Sequence, residues 1–189
     1  MPRKSKTSEE TKQIIYDSCM LDLETLGTLP GCVFVSIGAV EFNRYTGDMG
    51  RSFYQKIKIQ SALDVGLFVE GGTIEWWLKQ SEAAREEILK NTKDITLVLQ
   101  EFSSWYNKSQ GIWGNGEDFD ISILKMGYHA CKLPIPWKYD MARDVRTIMA
   151  EDPKSKYATK FLGIRHEPIA DCEHQIAYLC NAFKNKIKQ

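Results

Sequence analysis

Met20-Leu21-Asp22-Leu23-Glu24-Thr25 decides how the rest of the chain is read. Inside an apolar run, two carboxylates stand two residues apart. In a strand, residues i and i+2 point to the same face. Asp22 and Glu24 therefore project together, while Leu21 and Leu23 turn to the opposite, buried side. Two negative charges held side by side repel and shift each other's proton affinity. A fold tolerates such a pair when something positive sits between them, most often a metal ion. Two ordinary acids on a solvent-facing strand edge would give the same six letters, so the neighbouring segments must discriminate.

Working outward, Ile14 to Leu23 reads as the strand that carries the acids. Before it, Pro2-Arg3-Lys4-Ser5-Lys6 is basic and polar, and residues 1–13 are expected to form a flexible tail ahead of a single domain over 14–189. After it, Gly27, Pro30 and Gly31 punctuate a loop. Cys32 to Phe42 is rich in Val and Ile and reads as a second strand. Asn43 to Asp48 has turn composition, and Arg51 to Ile59 alternates as a third strand. Three strands joined by short turns predict an antiparallel meander.

Helical signals follow. Thr73 is placed to cap a short helix, Ser81 a second, and Asp94 or Thr96 a longer one. Gly111 to Gly114 (GIWG) suits a buried central strand, and Phe119 to Cys131 a helix ended by Pro134 and Pro136. Trp137 to Asp140 is the expected fifth strand and Val145 to Ala150 a helix. The last helix runs from about Pro168 to Lys186, with Ile169, Cys172, Ile176, Leu179 and Phe183 on one face. Strands first, then alternating helices and strands, predict a layered α/β domain: a mixed five-stranded sheet flanked by helices on both faces.

Composition narrows the class. Hydrophobic residues at 43% and charged residues at 26% are ordinary for a soluble globular protein. Lys+Arg and Asp+Glu are both 25, and zero formal net charge argues against coating nucleic acid by bulk charge. It leaves room for an enzyme that grips a few phosphates locally. Five Cys without C-x-x-C spacing suggest buried free thiols in a reducing compartment, and three His without ligand spacing argue against zinc. Without a long apolar run or signal peptide, a cytoplasmic protein is expected.

Two further clusters carry chemistry. Asn115-Gly116-Glu117-Asp118-Phe119-Asp120 lies just past the GIWG strand, where the glycines let the chain turn sharply and a ligand approach. Asp118 has a complete ordinary role as a helix N-cap. Asp120 does not, because one helix needs one cap. In Arg165-His166-Glu167-Pro168-Ile169-Ala170-Asp171, Pro168 suits a first helical turn. Asp171 then lies beside the apolar stripe and needs a partner. His166, in the preceding loop, is free to swing over the same site.

Taken together, Asp22-x-Glu24-Thr25, Asn115-Gly116-x-x-Phe119-Asp120-x-x-x-Leu124, and His166 with Asp171 five residues on resemble the DEDDh family of 3′–5′ exonucleases, the DnaQ-like group that includes polymerase proofreading domains. The stretches Thr73 to Arg85, Trp113 to Gly116 and Arg143 to Thr147 look like its T-even phage exonuclease A subfamily, found in phages, prophages and bacteria. Pro168 is a departure, since many relatives carry a small residue there. The resemblance implies an RNase H-like fold and hydrolysis of phosphodiester bonds from a 3′ end by two Mg²⁺ or Mn²⁺ ions. It implies Asp22, Glu24, Asp120 and Asp171 as metal ligands and His166 as general base. Thr25, Leu26, Trp76, Arg143 and Arg146 become candidate substrate contacts. Trp76 and Trp77 are adjacent on a helix and cannot both face one pocket, so Trp77 is expected in the core and Trp76 near the site. The implied partner is nucleic acid, single-stranded DNA first, with RNA as the alternative. A homodimer, as some relatives form, and a non-catalytic binding module remain open.

Overall fold

The computed structural model describes residues 14–162 and 167–187. The expected tail over 1–13 falls outside them, as does His166. Strand β1 (Ser18–Thr25) pairs antiparallel with β2 (Phe34–Phe42), and β2 with β3 (Met49–Lys56). This is the expected meander, although β1 begins at Ser18 and not at Ile14. Four helices follow: α1 (Ile59–Asp64), α2 (Gly71–Leu78), α3 (Glu82–Glu87) and α4 (Ile95–Trp105). Ser81 caps α3 by accepting from the Ala84 N–H, and Asp94 caps α4 by accepting from the Thr96 N–H at 2.8 Å. Thr73 does not cap α2. It is the third residue of that helix, and Glu70 holds the N-cap position without a side-chain bond.

Strand β4 (Gly111–Gly114) runs parallel to β1, and β5 (Ala142–Asp144) runs parallel to β4, giving the sheet order β3-β2-β1-β4-β5. The fifth strand is therefore not Trp137 to Asp140. Trp137 is buried and meets the Tyr106 and Tyr128 rings edge-on at 6.1 and 5.9 Å, so its apolar character serves packing rather than pairing. Between the last two strands lie a π-helical turn (Glu117–Ile121) and α5 (Ser122–Ala130). After β5 come α6 (Val145–Glu151), α7 (Pro153–Ala158) and α8 (Pro168–Ile187).

The alternation along β1 divides the core in two. Cys19, Leu21 and Leu23 pack with Val98, Leu99 and Phe102 of α4 and Ile123 and Leu124 of α5. Met20, on the other face, packs with Val145 of α6 and Cys172, Ile176 and Leu179 of α8. Helices thus cover both faces; of the stripe expected on α8, Cys172, Ile176 and Leu179 are buried, and Ile169 and Phe183 at its ends are partly so. The helix approaches closely at Gly38 of β2, where a Cβ would stand 2.3 Å from Cβ of Pro168. Gly38 is the cross-strand partner of Asp22, so the missing side chain seats the start of α8 beside that acid. All five cysteines are free, and four are buried. No helix among the described residues is long and apolar enough to cross a membrane.

Candidate active site

The parallel strands β1, β4 and β5 end on the same edge of the sheet, the usual place for a ligand crevice in such folds. An open cleft of about 320 Å³ lies there. Asp22 and Glu24 enter it from β1, Asp120 from the π-helical turn after β4, and Asp171 from the first turn of α8. Carboxylate oxygens of Asp22, Glu24 and Asp171 all lie within 4.8 Å of one another. Asp120 is 3% exposed beside them, and its Oδ1 accepts from the Leu23 N–H at 3.2 Å. Asp118 does not cap this helix. It is exposed, while Gly116, at φ +119°, holds the cap position. A π turn is wider than an α turn and recurs at functional sites. Here it turns Asp120 inward and Asp118 outward.

The electrostatics follow from this crowding. Burial, together with the charges of Asp120, Glu24 and Asp171, holds the Asp22 carboxyl well above the usual carboxylate range. Burial and the charges of Asp171 and Asp120 push Glu24 up to about 8. Asp120 is pushed up to about 7 by burial, against the pull of the Leu23 and Asn115 N–H groups and of Arg146. Asp22 and Glu24 thus resist ionisation beside the other acids unless a cation neutralises the group. The donors are hard oxygens and hold no sulfur or imidazole, which fits Mg²⁺ or Mn²⁺.

Around the acids, Thr25 and Trp76 line the cleft as expected. The Thr25 hydroxyl donates to the Gly27 carbonyl at 2.7 Å. Trp77 lines the cleft too, so the pair is not divided between pocket and core as expected; it is nevertheless 5% exposed and packed in the core, and its indole N–H donates to the Thr25 carbonyl at 2.9 Å. Trp76, 39% exposed, packs edge-on against it at 5.1 Å. Arg146 also lines the cleft. Leu26 and Arg143 are corrections. Leu26 is 3% exposed and belongs to the core, because its backbone pairs with Val33 and Glu70 and turns the side chain inward. Arg143 does not line the cleft: its guanidinium donates to the carbonyls of Asp140 and Ala142.

Sequence reasoning missed Gln175. It is 5% exposed, lines the cleft, and donates from Nε2 to Asp22 Oδ1 at 2.9 Å. Its signal was its position four residues after Asp171, on the same helical face. Asn115 and Phe119 line the cleft as well, as their place in the second motif implied.

A five-stranded mixed sheet with helices on both faces and four acids at its parallel-strand edge is the architecture of RNase H-like 3′–5′ exonucleases. The chain belongs to the 3′-5′ exoribonuclease Rv2179c-like domain family, whose model matches residues 17–183, within the DEDDh superfamily. It is 27% identical over 121 residues to an exodeoxyribonuclease of Enterobacteria phage T4, a match covering 56% of this chain and 52% of that protein. The chain thus spans about half the length of the curated relative it matches. Its fold is similar to the nuclease domain of 3′hExo, a DEDDh family member, bound to rAMP, with a TM-score of 0.62 at 14% identity, covering 90% of this chain and 93% of that one. It is likewise similar to E. coli exonuclease I in complex with an oligonucleotide, with a TM-score of 0.64 at 16% identity, covering 91% and 43%.

Proposed function

We propose that the chain is a metal-dependent 3′–5′ exonuclease that releases nucleoside 5′-monophosphates from the 3′ end of single-stranded DNA. The observation that carries this reading is the convergence of Asp22, Glu24 and Asp171 within 4.8 Å, from the first strand and the last helix, in a chain of an exonuclease family. Asp22, Glu24, Asp120 and Asp171 are the residues that would hold the cations. Divalent cations bound there supply charge neutralisation at the phosphate and a water of lowered pKa.

The chain's own residues do the rest. Gln175 holds Asp22 in one orientation through its amide. The Trp77 indole and the Thr25 hydroxyl fix the loop after Glu24, against which a terminal sugar would rest. Trp76 offers a ring face to a base, a contact worth about 1–3 kcal/mol. His166, assigned by resemblance, takes the proton of the attacking water, a task for which an imidazole is the usual side chain near neutral pH.

The phage T4 relative supports DNA. The family's description supports a second reading, RNA. Oligonucleotides of DNA and RNA labelled at either end, incubated with Mg²⁺ or Mn²⁺, test both. Stepwise shortening from the 3′ end that vanishes in Asp22→Ala is expected, faster on DNA. Shortening from the 5′ end alone, or an undiminished rate in the variant, overturns the reading.

A further inference from the structure

Among the described residues that line the cleft, Arg146 is the cationic one. It is exposed in the first turn of α6, a turn capped by Asp144, which accepts from the N–H groups of Arg146 and Thr147 at 3.0 and 3.1 Å. Gly114 of β4 lies opposite Asp144 of β5. The segments leaving these two strands, Asn115-Gly116 and Val145-Arg146, therefore run side by side. At Gly116 a Cβ would stand 3.0 Å from both Cζ and Nη1 of Arg146. The guanidinium thus rests on bare glycine backbone, at a position whose φ of +119° already excludes most side chains.

An arginine beside four carboxyls would be expected to collapse onto one of them if its task were charge balance. Among the described residues its guanidinium makes no ion pair or hydrogen bond. Its charge nevertheless acts on Asp120. The donors of a guanidinium match the oxygens of a phosphate bidentately, and here they are seated at the wall of the cleft and left unspent.

We infer that Arg146 is a catalytic residue whose guanidinium holds the non-bridging oxygens of the phosphate under attack, and that Gly116 is the positioning residue that leaves it this seat. The inference rests on the exonuclease reading. In the reaction served, the oxygen of water bonds to phosphorus and the bond from phosphorus to O3′ breaks. One proton of the water ends on O3′ and the other on the new 5′-phosphate until it titrates. Charge builds on the non-bridging oxygens as this happens, where fixed donors act most strongly.

Thymidine 5′-(4-nitrophenyl phosphate) carries a single phosphodiester and separates this contact from one to a phosphate further along a strand. With Mn²⁺, Arg146→Ala should lose about a hundredfold in kcat on this compound and on an oligonucleotide alike. Arg146→Lys should recover part of the rate. Calorimetric affinity for thymidine 5′-monophosphate in the presence of Ca²⁺ should fall about tenfold in Arg146→Ala, the loss of one charge-assisted contact. Gly116→Ala should lose rate as well, and adding it to Arg146→Ala should cost nothing more. A full rate of Arg146→Ala on the nitrophenyl ester, or an unchanged affinity for the monophosphate, overturns the contact. Multiplying losses in the double variant overturn the seat. A wild-type chain that cleaves neither compound overturns the exonuclease reading and this inference with it, whereas a wild-type chain that cleaves both isolates the inference.

Discussion

Replacing Glu24 by Gln should stabilise the metal-free protein, and by an amount that depends on pH. The ordinary value for this carboxyl is 4.5, and in the fold it is pushed up to about 8 by burial and by Asp171 and Asp120. A group whose proton is held more tightly in the folded state favours folding below its unfolded value and loses that contribution as pH rises through the folded one. The window is therefore about 4.5 to 8. At about 1.4 kcal/mol per decade of proton affinity, ionisable Glu24 disfavours the fold by on the order of 3 kcal/mol at pH 7 relative to pH 4. The amide of Glu24→Gln occupies the same space without a charge. In EDTA the Tm of wild type and variant should coincide near pH 4 and diverge above pH 5. At pH 7 the variant should melt several degrees higher, at roughly 2–4 °C per kcal/mol for a chain of this size. Saturating Mn²⁺ should reverse the order. A cation at a thousandfold its Kd contributes about 4.1 kcal/mol to wild type, more than that deficit, and the variant has lost a ligand. Parallel Tm profiles against pH in EDTA, or equal gains from Mn²⁺, would refute the account of these acids as a mutually repelling cation site.

Gln175→Leu should weaken Mn²⁺ binding by about 10–100-fold, because Asp22 loses the donor that orients it. The Tm in EDTA should barely change, since the variant also removes an Oε1 that has no partner among the described residues. A Mn²⁺ titration indistinguishable from wild type counts against that role. Gly127→Ala probes the opposite side of the sheet, where a Cβ would stand 2.6 Å from the buried Phe34 ring. Overpacking should lower the urea midpoint, by a loss of about 1–3 kcal/mol in unfolding free energy, in spite of the better helix former, with the nuclease rate at 20 °C unchanged. A midpoint at or above wild type would show that the Phe34 pocket has room to spare.

The features legible in the sequence were those decided by neighbours along the chain. The two-residue spacing of Asp22 and Glu24 set their common face, the apolar stripe set the buried side of α8, and Ser81 and Asp94 announced their helices. What escaped depends on partners distant in sequence. Strand β5 is three half-buried residues, Ala-Arg-Asp, and becomes a strand only because β4 lies beside it. Trp137 looked like strand because it is apolar, yet its neighbours are the Tyr106 and Tyr128 rings. Leu26 follows the acid pair and still turns into the core, because Val33 and Glu70 hold its backbone. Arg143 and Arg146 share a composition and differ in surroundings: one is spent on backbone carbonyls, the other rests on Gly116. The π turn that separates Asp118 from Asp120 has no marker in its five letters. Gln175 is the case where spacing held the information, four residues past an acid already singled out.

The close approach of Pro168 to Gly38 has a mechanical meaning. The acid from α8 is placed relative to Asp22 by a hard contact between a proline ring and a strand without a side chain, and such contacts resist compression far more steeply than extension. The mutual repulsion of the carboxylates pushes the helix outward, and the proline stops it inward. The gap between the first and last acids therefore behaves as a jaw with a fixed closed position and a compliant open one. A change at Gly38, on a strand that offers no chemical group to the cleft, would reset that closed position and with it the bite of the site.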